Sequence, residues 1–311
     1  NLLFLLIAFV VLWGVVYPLV SQTFQGVTVT VGRPYYDTIA GPIFLALVVL
    51  MGVGPLLPWR QASWRILARA LRMPMGTALA TAVLLVVVGL RSPLPVLAFA
   101  VCAMVTAGIV REWAKGTRVR RRRGNESYPV AFLRLLASNR PRYGGYIVHL
   151  AIVMLAFSAT GSSFYSVQRD FSLGVGERAT LGPYEVEYLS TTAVPRPDRL
   201  ERSAEVQVYR NGVPKGTLNP GYVYYPSFDM SASRAGIRST PVEDLYIIAS
   251  EFGEDGRAIF RIYVNPLVGW MWLSGLVMLL GTVVALWPER SRASRRVERP
   301  RSEERGVATR A

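Results

Sequence analysis

Residues 143–162 read YGGYIVHLAIVMLAFSATGS, and this stretch contains no Asp, Glu, Lys or Arg. A helix needs about 20 apolar residues to cross the hydrocarbon core of a bilayer. The stretch has that length, and a strongly basic segment precedes it. We therefore predict a transmembrane helix over 143–162.

Other apolar runs of similar length predict further transmembrane helices. Hydrophobic residues make up 51% of the 311-residue chain, and they are gathered in blocks rather than spread in the pattern of a soluble core. We predict a polytopic all-α membrane bundle of about six transmembrane helices with one inserted extracytoplasmic small β domain. The other five predicted spans are residues 1–20, 38–57, 75–91, 93–111 and 266–287.

The charged residues between the runs predict the orientation. Segments 58–74, 111–142 and 288–311 together carry a net charge of +16, whereas the remaining segments sum to −1. Cytoplasmic loops carry the excess of Lys and Arg. We expect a multi-pass protein of the bacterial inner (cytoplasmic) membrane with both termini cytoplasmic. Because the cations flank hydrophobic runs, we expect them to contact membrane lipid and no nucleic acid.

Residues 163–265 have the pattern of a β domain. Asn211-Gly212 and Asp255-Gly256 are favoured hairpin turns, because their backbone must adopt positive φ angles. We predict a compact antiparallel periplasmic domain, and we interpret 219–240 as a long loop because it is rich in Gly, Pro, Ser and aromatic residues. The predicted strands are 184–191, 204–210, 243–250 and 257–264.

The predicted domain order has four parts. Residues 1–162 form transmembrane helices 1–5 with cytoplasmic basic loops, and 163–265 form the periplasmic β-rich domain. Residues 266–287 form the last transmembrane helix, and 288–311 form a basic cytoplasmic tail that we expect to be disordered. The single cysteine, Cys102, lies inside an apolar run, so we expect it to pack as a small hydrophobe.

His149 is the only histidine of the chain and lies within a predicted span. An ionisable side chain is costly in a membrane and marks a candidate site. Imidazole is a common axial ligand of haem iron. Gly144 and Gly145 precede it by about one turn, which would let a flat cofactor or another helix approach. The alternative is a neutral histidine that is hydrogen-bonded to a neighbouring helix.

Several stretches resemble, in order, the C-terminal part of the CcmF family of cytochrome c-type biogenesis proteins. The resemblance covers essentially all 311 residues, and Ala151 stands where the family usually has glycine. The stretches are GVVYP (14–18), VGRPYY (31–36), GVGPLLPWR (52–60), RYGGYIVHL (142–150), DLYII (244–248) and YVNPLVGWMWLSGLVMLLG (263–281).

The resemblance implies a subunit of the haem lyase that attaches haem to apocytochrome c, in which this part binds and orients haem. It implies haem b as cofactor, with His149 as an axial ligand of the iron. Arg33, Tyr35 and Tyr36, in the predicted outward loop 21–37, are candidate haem contacts, or else ordinary anchors at the membrane interface. The implied partners are apocytochrome c, a haem chaperone and other cytochrome c maturation proteins. No catalytic side chain is expected.

Three features of the family do not occur in this chain: its tryptophan-rich outward segment, its two outward-facing histidines and its first transmembrane haem-ligand histidine. The chain also opens on Asn1 directly in an apolar run. We therefore expect a fragment or one half of a split protein. An upstream half or a partner subunit would supply the second haem ligand, and ligation by this chain alone is not expected.

Two other function classes remain open from the residues. The chain could be a non-catalytic membrane scaffold or receptor whose periplasmic β domain binds a partner protein, with His149 as a packing residue. A solute transporter is the third class. It is disfavoured because no acidic residue lies deep inside the predicted spans, where coupled transporters usually keep an ionisable group.

Overall fold

The computed structural model describes residues 1–54, 64–253 and 255–288. The predicted disordered tail falls on residues 289–311, and the start of the basic loop 58–74 falls on residues 58–63; both lie outside the described residues. The backbone of Arg33 is described, but its side chain is not.

Within the described residues, six helices are long and apolar enough to cross a membrane. Together with a β domain between the last two of them, they confirm the predicted fold class. An additional short helix, α5, lies between the fourth and fifth spans. The helices are α1 Leu2–Gln25, α2 Arg33–Val53, α3 Trp64–Val87, α4 Pro93–Gly124, α5 Tyr128–Ser138, α6 Arg140–Tyr165 and α7 Val268–Leu286.

Several helices extend beyond the predicted apolar runs, because a helix does not have to end where the hydrocarbon ends. Helix α3 begins within the basic loop predicted at 58–74, and α4 continues to Gly124 through the arginine-rich part of segment 111–142. The predicted outward loop 21–37 is wrong in extent. Helix α1 reaches Gln25 and α2 already begins at Arg33, where Pro34 favours a helix start.

Helix α4 is the centre of the bundle. It contacts α2, α3, α5 and α6, and its stretch from Phe99 to Ile109 is largely buried. Cys102 lies in this stretch with 6% of its surface exposed, and its thiol points at the carbonyl of Val153 in α6 at 3.8 Å. The cysteine therefore packs as a small hydrophobe. The buried cluster also contains Val48, Val101, Met104, Val105, Leu135, Tyr143, Tyr146 and Val153.

Helices α6 and α7 approach each other closely through two glycines. A Cβ atom on Gly144 would stand 2.5 Å from the backbone nitrogen of Ala285. A Cβ atom on Gly281 would stand 2.8 Å from the backbone nitrogen of Val148. Small residues allow this approach, which maximises van der Waals contact in a bilayer where helices gain little from the hydrophobic effect.

The chain between α6 and α7 forms two antiparallel sheets. One has the strand order β1-β10-β9-β8 and the other has the order β2-β3-β4-β6-β7, with β5 paired to β4. The strands are β1 Val167–Leu173, β2 Arg178–Leu181, β3 Tyr184–Pro195, β4 Leu200–Arg210, β5 Val213–Leu218, β6 Gly221–Tyr225, β7 Met230–Arg234, β8 Gly236–Ser239, β9 Glu243–Phe252 and β10 Ala258–Pro266.

Alternate residues of the strands fill the space between the sheets, as expected for a sandwich. Tyr188 of β3 and Phe260 of β10 meet edge to face with ring centroids 5.1 Å apart. The predicted Asn211-Gly212 turn is confirmed, since both residues have positive φ. Besides Phe260, the members of the core with no exposed surface are Tyr184, Ala204, Val206, Val208, Leu245, Ile247, Ala249 and Ile262.

The prediction of a long loop over 219–240 is wrong. This segment forms β6, a short 3-10 turn at Pro226–Phe228, β7 and β8. Its glycines serve close packing rather than flexibility: a Cβ atom on Gly221 would stand 2.1 Å from the carbonyl oxygen of Arg202. The alternation of apolar residues that marks the other strands is absent here, because every residue of β7 is exposed.

The β domain is fastened to the membrane helices where β10 passes into α7. Leu267 adopts a left-handed conformation with φ of 64°, and its N–H donates to the carbonyl of Val242 at 2.8 Å. The hydroxyl of Ser158 in α6 donates to the Leu267 carbonyl at 2.7 Å. The indole of Trp270 donates to the carbonyl of Pro241 at 2.9 Å. These bonds fix the domain relative to both helices.

Replacing Gly144 by Val should destabilise the chain by about 1–3 kcal/mol, because the new side chain must push α7 away. The matched control is Gly145→Val, since a Cβ atom on Gly145 meets nothing within 4 Å. Thermal unfolding of the purified chain in detergent, without added cofactor, measures the difference. Equal destabilisation by the two variants would contradict the close α6–α7 packing.

Candidate functional site

The candidate site lies on α6, whose first turn is anchored on α4. The side chain of Asn139 accepts a hydrogen bond from the backbone N–H of Arg142, which caps the helix start. The Arg142 guanidinium contacts Glu112 of α4 at 3.1 Å and the Tyr146 hydroxyl at 3.2 Å. These contacts hold α6 in a fixed rotation, and that rotation decides which way His149 points.

His149 lies six residues after Tyr143, about 9 Å further along the helix axis. Its side chain is half-buried. The Nδ1 atom is buried and has no hydrogen-bond partner among the described residues. A buried polar atom left without a partner costs about 1–3 kcal/mol. The interpretation of His149 as a packing residue requires a hydrogen bond to a neighbouring helix, and the described residues provide none at Nδ1.

The two glycines before His149 have different surroundings. Gly144 faces α7 and serves the helix packing described above. Gly145 lies four residues before His149, hence on the same face of α6, and a Cβ atom added there would meet nothing within 4 Å. Open space therefore lies at Gly145, about one turn before the imidazole on the same face of the helix.

The apolar neighbours of His149 pack on two other helices. Ile147 and Val148 contact α7 around Gly281. Leu150 and Ile152 pack against the buried cluster centred on α4. The imidazole therefore has apolar side chains as its neighbours along the helix, and α6 is held by α7 and by the cluster around α4.

Tyr35 and Tyr36 lie in the first turn of α2 and pack on α1. The Tyr35 hydroxyl donates to the carbonyl of Val10 at 3.2 Å. The Tyr36 hydroxyl occupies the place that a side chain on Gly14 would need. The two rings meet edge to face with centroids 5.2 Å apart. The candidate residues predicted from the sequence therefore fall on two helices. Tyr35 and Tyr36 lie on α2, where they pack against α1, whereas His149 lies on α6.

The residues around His149 fit one axial side of a haem. Among the described residues, no group of three or more His, Cys, Asp or Glu could hold a metal ion, so a bare metal site is not formed there. A haem iron needs only one imidazole from each side. A single imidazole whose Nδ1 atom has no partner, one turn from the open space at Gly145, meets that requirement, and the second axial ligand would come from outside this chain.

The structure also shows a feature that residue types alone do not reveal. From the sequence, the cations of segment 111–142 mark topology. In the fold, Lys115, Arg120, Arg123 and Arg142 line one cavity at the end of the helices far from the β domain. Lys115, Arg120 and Arg123 belong to α4, and the packing of α5 and α6 against this helix adds Arg142 and closes the cavity. No local sequence pattern could have predicted that closure.

Comparisons with known proteins cover both parts of the fold. The model of the CcmF C-terminal beta-sandwich matches residues 164–266. The Haemophilus influenzae cytochrome c-type biogenesis protein CcmF is 26% identical over 296 residues, which cover 94% of this chain and 44% of the relative. The Pseudomonas aeruginosa protein of the same name is 29% identical over 293 residues, with 94% and 43% covered.

A solved structure titled cytochrome c heme lyase CcmF matches with a TM-score of 0.71 and 24% identity. The match covers 92% of this chain and 44% of the chain in the solved structure. At this identity the likeness shows the fold. The chain spans less than half the length of the curated relatives it matches.

The family model, the relatives and the solved structure agree with the ordered stretches of the sequence. They confirm the resemblance: residues 164–266 match the model of the CcmF C-terminal beta-sandwich, and the chain as a whole matches the C-terminal part of the CcmF family of cytochrome c-type biogenesis proteins.

Proposed function

We propose that this chain is the C-terminal portion of a membrane haem lyase subunit, which binds and orients haem for covalent attachment to apocytochrome c. The names of the relatives support a role in cytochrome c biogenesis. The attachment of haem to apocytochrome c is proposed for the complete protein, because this chain spans less than half the length of those relatives.

The observation that carries the proposal is the state of His149. It is the single imidazole of the chain, its Nδ1 atom lacks a partner among the described residues, and the face that it shares with Gly145 is open. A cationic imidazole would be costly inside a membrane, whereas a neutral imidazole that binds iron is not. His149 is therefore proposed as an axial ligand of a haem b.

The second ligand would come from an upstream half of the same protein or from a partner subunit, because the chain has no second histidine. The haem that is presented to apocytochrome c would supply the vinyl groups for thioether formation, and the internal haem b at His149 would supply an iron centre that can be reduced. The residues of this chain would hold and orient the haem and exclude water. No side chain described here is assigned an acid–base or nucleophilic role, so the chain is not proposed to be catalytic alone.

Arg33, Tyr35 and Tyr36 are proposed to contact a haem at another level of the membrane. About 24 Å of helix separates His149 from Tyr165, where α6 meets the β domain, since the two positions are 16 residues apart along α6. If every span crosses the bilayer, α2 begins at the same end as the β domain. Arg33, Tyr35 and Tyr36 would therefore contact the haem that is presented to apocytochrome c on the side of the β domain, and not the haem b at His149.

The proposed location is the bacterial inner membrane, with both termini in the cytoplasm and the β domain in the periplasm. The charge distribution supports this orientation, since the basic end of α4 and the β domain lie at opposite ends of the helices. Apocytochrome c, a haem chaperone and other cytochrome c maturation proteins are the proposed partners.

Changing His149 to Ala in the complete protein should abolish a low-spin haem b spectrum, because the iron loses an axial ligand. The matched control is Ile152→Ala, one turn further along α6, which should retain the spectrum. Gly145→Leu should lower haem content at unchanged protein level, because its side chain fills the open face. An unaltered spectrum in the His149→Ala protein would overturn the assignment and favour the scaffold interpretation.

Changing Arg33 to Ala in the complete protein should lower the yield of holocytochrome c severalfold without lowering the amount of the membrane protein, because a guanidinium can pair with haem propionates. The spectrum of a haem at His149 should stay the same. An unchanged yield would leave the start of α2 as an ordinary interfacial turn. Immunoblotting and haem staining measure the two quantities.

Reporter fusions test the orientation. A fusion at Asn125 should report the cytoplasm, since this residue ends the basic helix α4. A fusion at Lys215 should report the periplasm, since it lies in β5 of the β domain. The opposite result at Lys215 would refute the proposed topology.

A further inference from the structure

A cavity of about 540 Å³ lies between α4, α5 and the start of α6, at the end of the bundle away from the β domain. Its lining contains four cationic side chains, Lys115, Arg120, Arg123 and Arg142, but only two carboxylates, Glu112 and Glu126. The lining therefore carries a formal excess of two positive charges. Nothing in the proposed haem function uses this cavity.

Ion pairs occupy both carboxylates. Glu112 pairs with Arg142 at 3.1 Å. Glu126 pairs with Arg134 at 2.6 Å and with Arg120 at 3.3 Å. The hydrogen bond from Arg134 holds the pKa of Glu126 below its usual value, so this carboxylate stays ionised and paired at neutral pH.

Lys115 and Arg123 are left without a carboxylate within ion-pair distance in the described part of the chain. They are eight residues apart on α4, which places them on one face of the helix, two turns from each other. Both are exposed. Two unpaired cations thus flank the cavity along one side.

The floor of the cavity is less polar than its rim. Gly116 has no side chain, and a Cβ atom there would stand 2.8 Å from the Leu135 side chain and 3.0 Å from the Tyr143 hydroxyl oxygen. Leu135 of α5 and Tyr143 of α6 therefore close the cavity against α4. Only 8% of Tyr143 is exposed.

Helix α5 beside the cavity has an exposed apolar side. Ala131 and Leu135 face α4, whereas Val130 is 40% exposed and Leu133 is 63% exposed. An amphipathic helix that joins the ends of two membrane spans and shows apolar residues outward lies at the level of the lipid headgroups. A ligand that fits the cavity at this level would have an anionic head and an apolar remainder.

We propose that this cavity binds the phosphate of an anionic phospholipid, with Lys115 and Arg123 as the cations that contact it. Basic pockets between membrane helices bind such headgroups, and each cation near the surface strengthens the attraction. A soluble phosphate has the same charge but no contact with the apolar side of α5. The lipid is therefore the favoured source of the phosphate.

The test measures retained lipid on the full chain, purified in detergent and supplied with phosphatidylglycerol or with phosphatidylcholine. The double variant Lys115→Gln and Arg123→Gln removes the two unpaired cations and leaves the three ion pairs of Glu112 and Glu126 in place. The control, Arg118→Gln with Arg122→Gln, removes the same charge from α4 outside the cavity lining. Native mass spectrometry counts the bound lipids.

Phosphatidylglycerol should bind equally well to the wild type and to the control. Its affinity for the Lys115→Gln, Arg123→Gln variant should be roughly thirtyfold lower, as expected for the loss of two cations. Phosphatidylcholine should bind all three proteins weakly. Equal weakening in variant and control would overturn the proposal, since it would show unspecific attraction by net charge. Displacement of the lipid by millimolar inorganic phosphate would overturn the assignment to a lipid.

Discussion

The close contact of α6 with α7 is the interaction on which the rest of the fold depends. Gly144 and Gly281 let the two backbones approach, and the β domain is inserted between the helices that they join. Both ends of the domain consequently leave the membrane side by side. Leu267, held by Ser158 and Val242, fixes the domain to this pair. Together with the contact of Arg142 with Glu112 on α4, the α6–α7 packing sets the rotation of α6, and so the direction in which His149 points.

Much of the fold could be predicted from the sequence, because both of its parts have strong periodic signals. Uniformly apolar runs marked the six spans, and β-branched residues with Asn-Gly turns marked the central strands. The errors arose where a signal was weak. Strand β7 is exposed along its whole length, so it shows no alternation. Helix α5 is short and lies within a charged segment, where only its contact with α4 reveals a buried side.

From the sequence, the candidate site could be predicted only by its residue type, a single histidine in an apolar span, and not by its surroundings. A lone histidine in an apolar span is expected to be functional or hydrogen-bonded, and sequence cannot distinguish the two. Packing separates the roles of the neighbouring glycines, since Gly144 meets α7 and Gly145 faces open space. The missing partner of Nδ1 is likewise a property of the three-dimensional arrangement. A bis-histidine haem site would need its second ligand from another chain or segment, because this sequence has one histidine.

The single histidine also permits the most direct test of the proposed haem site. If this chain is labelled with ¹⁵N-histidine and combined with an unlabelled upstream part, only His149 carries the isotope. Pulsed electron paramagnetic resonance of the ferric low-spin haem then detects any ¹⁵N nucleus bound to the iron. A ¹⁵N coupling of an axial imidazole is the predicted result. A low-spin haem that shows only ¹⁴N couplings would contradict the assignment of His149 as its ligand.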